Sequence, residues 1–281
     1  MARFGLFGMV FMLSVWGGGF AAGDEAELAS VCRQIERHSG TRLVFRRDQL
    51  PPGRYYSIMK PLSQTMKLEA ATICEKELRK YPAGYLKQAG LKVIGIFAAC
   101  ASKRNDGFHH FAKELGGYRY YGVYNGIDAV AMAYYDTGQL PMTLHHEIYH
   151  HVDATDQGVT ESWQLSGDDA YFHAAVSGFR PYAAPKIKAV DLKQLRQRCR
   201  GFTLRHSVNE YSSKNAQEDQ AESARYLMSR LPDSLVQIVD HPELPGSQRI
   251  LHVLGQYKDA VRGGPGLDWF IGAALATTNE L

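Results

Sequence analysis

Residues 145–151 read His-His-Glu-Ile-Tyr-His-His, and no other stretch constrains the fold as tightly. On a helix, residues four apart lie about 40° apart around the axis, so His146 and His150 project from one face. Two imidazoles at that spacing can share one Zn²⁺ at nitrogen–metal distances of roughly 2.0–2.1 Å. Glu147 stands on their flank, where it can take a proton from a metal-bound water instead of binding the metal. Leu144, Ile148 and Val152 fall on the opposite face. A fold that uses the motif must therefore bury one side of this helix and open the other to a cleft. His145 and His151 crowd the segment. They permit a rival ligand pair, Glu147 with His151 on another face, or a simple metal-scavenging tract.

Zinc used in catalysis takes a third protein ligand and keeps a fourth position open. Asp156 stands six residues after His150, a spacing used by metzincins. Asp153, however, occupies the place of their turn-forming Gly, and no convincing Met-turn follows, although Met228 is present. The competing candidate lies in residues 209–222, Asn-Glu-Tyr-Ser-Ser-Lys-Asn-Ala-Gln-Glu-Asp-Gln-Ala-Glu. Asn215 followed three residues later by Glu218 is also a helix-capping arrangement. In that plainer reading Glu222 solvates the helix, Tyr211 is packing, and Asp153 and Asp219 are caps or supporting groups.

Tyr211, Asn215, Glu218 and Glu222, spaced Y-x3-N-x2-E-x3-E, resemble the second active-site segment of the lethal-factor-type gluzincins. That group includes the anthrax lethal factor catalytic domain and the Pro-Pro endopeptidases. The resemblance implies that His146, His150 and Glu218 bind one zinc ion and that Glu147 is the general base. It also implies that Tyr211 faces the reacting carbonyl and that Glu222, with Asn215, orients the ligands from behind. It spans roughly residues 91–231 in layout, but only the two segments are specific. Ser212, Ser213 and the His pairs around the first motif depart from the pattern.

The N-terminus opens Met1-Ala2-Arg3, then runs apolar from Phe4 to Trp16, then turns to Gly and Ala. Thirteen apolar residues are too few for a comfortable membrane span but suit an export signal, expected over residues 1–22. No stable span is expected once it is removed, and the destination reads as secreted or periplasmic. Cys32, Cys74, Cys100 and Cys199 all follow this segment, and an even count in an exported chain favours two disulfides. The net charge is only +3 and 45% of residues are hydrophobic, which excludes wholesale disorder and a chain built to blanket nucleic acid. The basic stretch from Lys186 to Arg200 reads as a solvated helix face. His109-His110 reads as an exposed loop pair. There is no G-x-S-x-G and no phosphate loop.

Helices are expected at 26–36, 62–80, 143–153, 168–176, 216–229 and 248–261, and strands at 42–46, 91–97 and 128–134. Strands come first and helices dominate the second half, so the class is α+β. The resemblance makes it a zincin-like metallopeptidase domain with a small mixed sheet, an active-site helix and a mainly helical C-terminal half. Residues 23–281 form a single domain in this reading, with 23–90 as an optional N-terminal subdomain. The function expected is zinc-dependent hydrolysis of a protein or peptide, with the strand at 128–134 offering an edge to an extended substrate. The alternative is a non-catalytic exported zinc-binding or interaction module.

Overall fold

Short runs rich in Val, Ile and Ala pair side by side, as strands covered on both faces do. In the computed structural model, which describes residues 22–55, 58–101, 122–155, 182–214 and 216–276, β1 (Arg42–Val44) lies parallel to β3 (Val93–Phe97). In turn β3 lies parallel to β6 (Ala129–Ala133), with Gly95 opposite Ala131. β5 (Gly122–Tyr124) adds antiparallel to β6 and gives a mixed sheet of order β1-β3-β6-β5. β2 (Ile58–Lys60) and β4 (Ala99–Ala101) form a separate antiparallel pair. Every residue of β3 and β6 is buried, which is why both read as unbroken apolar runs.

The helices are α1 (Ala22–Ser39), α2 (Gln64–Leu78), α3 (Tyr85–Gln88), α4 (Gln139–Thr155), α5 (Ala189–Arg198), α6 (Ala216–Ser229), α7 (Leu231–Asp240), α8 (Pro245–Asp259) and α9 (Leu267–Ala276). The class is α+β with a mainly helical second half. One apolar cluster runs from Ile35 of α1 through Leu43, Leu78, Ile94 and Leu144 to Ala274 of α9. Gly40 ends α1 with φ +73°, and a Cβ there would meet the Lys87 side chain at 2.6 Å. Both the left-handed backbone and the close approach of α3 therefore require glycine at this turn. Among the described residues no helix is long and apolar enough to cross a membrane.

Several expectations need correction. The ligand-bearing helix starts at Gln139, not Thr143, because Asp136 Oδ1 accepts the main-chain N–H groups of Gly138 and Gln139 at 2.9 and 2.7 Å. Pro141 fits the first turn, where its missing N–H costs nothing. α7 and α9 lie where no helix was expected, and Pro232 opens α7 in the same way. The strand at 128–134 is not an edge: β6 is flanked by β3 and β5, and among the described residues β1 and β5 are the edge strands of this sheet. No disulfide forms. Cys32, Cys74, Cys100 and Cys199 are free thiols, dispersed over α1, α2, β4 and the end of α5. Of the expected signal peptide only Ala22 is described, as the first residue of α1. The expected helix at 168–176, His109-His110, Asp156 and Asn215 lie outside the described residues.

Burying α4 against the N-terminal helices brings His145 into a polar network inside the core. His145 Nε2 lies 2.7 Å from Glu77 Oε2, and its Nδ1 lies 2.9 Å from the Tyr81 hydroxyl. An ionised carboxylate can only accept, so Nε2 carries the proton and Tyr81 donates to Nδ1. Lys80 Nζ completes the network, donating to Glu77 Oε2 at 2.5 Å and to the Met228 carbonyl of α6 at 2.8 Å. Burial pushes the Glu77 carboxyl up, but the hydrogen bonds from His145 and Lys80 outweigh it and hold it at about 2. Burial lowers His145, against the pull of Glu77, so the ring stays neutral.

Both shifts act on the acid side. Glu77 contributes stability above its ordinary carboxylate range and loses it as pH falls from about 4.5 through about 2. His145, held below its ordinary value of 6.5, adds an erosion that begins as pH drops past that value. Glu77→Gln should lower the stability at pH 7 by about 2–4 kcal/mol, because Lys80 is left without its carboxylate. It should also flatten the decline between pH 4.5 and 3. Urea unfolding at both pH values measures the two effects, and an unchanged acid slope would show that Glu77 is not the group responsible.

Candidate metal centre

The site is made where α4 and α6 pack along one another. Leu144, Ile148 and Val152 of α4 are fully buried, as are Ala221, Ala224, Leu227 and Met228 of α6. Tyr149 adds a polar clasp, donating its hydroxyl to Gln220 Oε1 at 3.1 Å. A second clasp is the buried ion pair of Asp219 in α6 with Arg249 in α8, at 2.9 Å. Asp219 is thus a tether for α6 and not a helix cap.

With the apolar faces locked, His146, His150 and Glu218 converge. The two Nε2 atoms are 3.0 Å apart, and Glu218 Oε2 lies 3.2 Å from each. Tetrahedral ligands about 2.0–2.1 Å from one ion sit roughly 3.3 Å from each other, so the triangle fits a small divalent cation. Two imidazole nitrogens and a carboxylate oxygen are also the donor set that zinc favours. Among the described residues this is the group of His, Cys, Asp and Glu side chains placed to hold a metal ion. The sequence brought all three together as candidates, and the structure brings their ligand atoms together in space.

A further set of residues holds the ligands. His146 Nδ1 lies 2.8 Å from Glu222 Oε1, although off the straight N–H line. Glu222 accepts from Asn209 Nδ2 at 2.6 Å and lies 3.2 Å from Arg225 NH1. A carboxylate on Nδ1 fixes the tautomer that leaves Nε2 free for a metal. Asn209 was missed by sequence reasoning. Its Oδ1 also accepts from Ser212 N at 3.1 Å, capping the 3₁₀ turn Glu210–Ser213 that carries Tyr211. The only trace of this in the sequence is an Asn just before a short turn, a pattern shared by countless loops.

Burial would lower His146, but hydrogen bonds to Glu218 and Glu222 override it and hold the ring at about 9 in the absence of metal. Burial would raise Glu218, yet the two imidazoles bring its carboxyl far below the usual range. Glu147 behaves in the opposite way. Burial raises its carboxyl, with His146 and His150 opposing, and the Tyr124 main-chain N–H donates to it. Its side chain lies against Gly122 so closely that a Cβ there would meet Oε1 at 2.4 Å. Glycine at 122 is what lets the sheet edge approach this carboxylate. Asn125 N donates to the Ala129 carbonyl at 2.9 Å, and the alternation of an antiparallel ladder turns the main chain of Gly122 and Tyr124 away from β6. The outward main chain of β5 and the Glu147 carboxylate therefore face one another.

Tyr211 is half-exposed at the rim, with its hydroxyl 3.0 Å from Glu218 Oε1. The two other histidines of the motif are structural. His145 belongs to the Glu77 network, and His151 Nε2 lies 2.7 Å from the Ala89 carbonyl, with Tyr124 edge-on to its ring. The pairing of Glu147 with His151 is therefore replaced: Glu147 faces β5 while His151 faces the end of α3. The metal-scavenging tract likewise divides: His146 and His150 share Glu218, while His145 and His151 each have a partner elsewhere.

No protein-family model matches the chain, and no curated protein matches it. Among solved structures the chain is similar to a crystal structure described as a "putative zinc-binding metallo-peptidase" from Bacteroides caccae. The two share 14% identity at a TM-score of 0.46, over 90% of this chain and 92% of that one.

Zinc titration against a competing chelator tests the centre directly. Glu218→Ala should weaken zinc binding by about a hundredfold or more, and Glu222→Gln by about tenfold through the loosened His146 ring. Unchanged affinity in Glu218→Ala would remove that residue from the ligand set.

Proposed function

We propose that the chain is an exported zinc-dependent endopeptidase of the zincin type, with His146, His150 and Glu218 as the metal ligands. The observation that carries this reading is the compact triangle of two Nε2 atoms and Glu218 Oε2 with the buried Glu147 carboxylate beside it. A zinc ion held by His146, His150 and Glu218 would lower the pKa of a bound water and polarise a substrate carbonyl. Glu147 takes the water proton and hands it to the leaving nitrogen. Its buried setting suits a base that must be ionised at rest and yet hold a proton during the reaction.

Tyr211 donates its hydroxyl to the oxyanion that develops on the carbonyl, a contribution of about 2–4 kcal/mol to the transition state. An extended peptide runs beside β5, the edge strand next to β6, and pairs with outward main-chain groups other than the Tyr124 N–H that Glu147 holds. The lethal-factor-type resemblance supports the assignment of Glu218 and Tyr211 to these roles, because both fall in the matching segment. Export rests on the N-terminal apolar run alone. Residues 23–281 are taken as one domain.

Glu147→Gln separates hydrolysis from metal storage. It should keep zinc at full occupancy and lose cleavage of a proteome-derived peptide library by at least about a thousandfold. Wild-type protein that holds zinc and cleaves no peptide would overturn the peptidase reading. Gly122→Ala should lower kcat about ten- to a hundredfold with zinc retained, since the new methyl group must displace the Glu147 carboxylate. Activity equal to wild type in that variant would show that the present position of Glu147 against β5 is not the working one.

A further inference from the structure

Tyr211 has one hydroxyl proton, and in the resting site that proton is directed at Glu218 Oε1, 3.0 Å away. To serve an oxyanion the hydroxyl must turn away and leave Oε1 behind. Lys214 stands beside both groups. Its Nζ lies 3.2 Å from Glu218 Oε1 and 3.1 Å from the Tyr211 oxygen, and 4.8 Å from the centre of the Tyr211 ring. It occupies one of the unspecified positions of the Y-x3-N spacing, so the family resemblance assigns it nothing.

We propose that Lys214 is a positioning residue that releases the Tyr211 proton for the reaction. The inference rests on the peptidase reading of this site. An ammonium carries three donors and no acceptor, so Lys214 can bond to Glu218 Oε1 and to the phenol oxygen together. When the Tyr211 proton swings toward the substrate, Oε1 of the partly buried Glu218 keeps a charged partner. A donor on the phenol oxygen also polarises the O–H bond and strengthens what it donates. The 3₁₀ turn places Tyr211 and Lys214 three residues apart, and α6 follows at once with Glu218, which fixes the three groups as a cluster. Lys214 reaches the reacting atoms only through its two neighbours.

The test compares wild type, Lys214→Met, Lys214→Arg, Tyr211→Phe and the double variant Lys214→Met/Tyr211→Phe, all zinc-loaded. Each is assayed on a peptide that the wild type cleaves, and its affinity for a phosphinic peptide, a mimic of the tetrahedral oxyanion, is measured by calorimetry. Lys214→Met should lower kcat about tenfold, the worth of one hydrogen bond to a charged group, with KM within about twofold. Phosphinic-peptide affinity should fall by the same factor, and Lys214→Arg should recover most of both. In the Tyr211→Phe background, removing Lys214 should change neither quantity further. Equal fold-losses in both backgrounds, or an unaffected Lys214→Met, would overturn the role while leaving the peptidase intact. Zinc-loaded wild type that neither cleaves peptides nor binds the phosphinic peptide would overturn the peptidase reading, and this inference with it.

Discussion

The packing of α4 on α6 fixes everything else. Polar clasps assist, but the bulk of the contact is apolar: Leu144, Ile148 and Val152 on one helix, and Ala221, Ala224 and Leu227 on the other, are fully buried. Burying side chains of that size stabilises by about 1–3 kcal/mol each, and small residues on α6 let the two backbones come close. The polar faces then meet at the seam's border. His146 and His150 are presented by one helix and Glu218 by the other, 68 residues later in the chain. A carboxylate and two imidazoles would not assemble there unaided, because a buried acid and two bases cost solvation. Apolar packing supplies the geometry, and the charge pattern follows from it.

Ionisable side chains crowd this seam, and each is answered by a specific partner. Glu77 has His145 and Lys80, Asp219 has Arg249, and Glu222 has Asn209, Arg225 and His146. Glu147 is the exception in kind. Its carboxyl is raised where those of Glu77, Glu218 and Glu222 are lowered. Carboxylates far apart in the chain are thus driven in opposite directions by their surroundings, the pattern expected where one group transfers protons and the others bind or tether. The four histidines of the motif divide along the same lines. Two face the candidate metal position, one holds the core network and one ties α4 to the Ala89 carbonyl.

The H-E-x-x-H motif and the pair Glu218 and Glu222 were readable because helical spacing converts directly into shared faces, whereas Tyr211, on a 3₁₀ turn, was suggested only by the family resemblance. Asn209 was not readable, since its contact with Glu222 depends on how a loop folds back on α6. The cysteine count misled for a related reason. Parity and compartment say nothing of distance, and the packing of the elements leaves all four thiols free. The edge strand was misplaced because 128–134 and 122–124 carry similar apolar character, and only pairing partners distinguish an inner strand from an outer one.

By itself the sequence determined which side chains could share a helix face: His146 with His150, Glu218 with Glu222, and an apolar stripe opposite the histidines. Those relations depend on 3.6 residues per turn and hold wherever the helix is put. Only the tertiary structure decided that Glu218 meets the two histidines, that Gly122 brings the β5 edge against Glu147, and that Lys214 stands between Tyr211 and Glu218. Each of these is a contact across chain separation or around a turn. It is set by how the elements pack, a property of the whole core that no local spacing encodes.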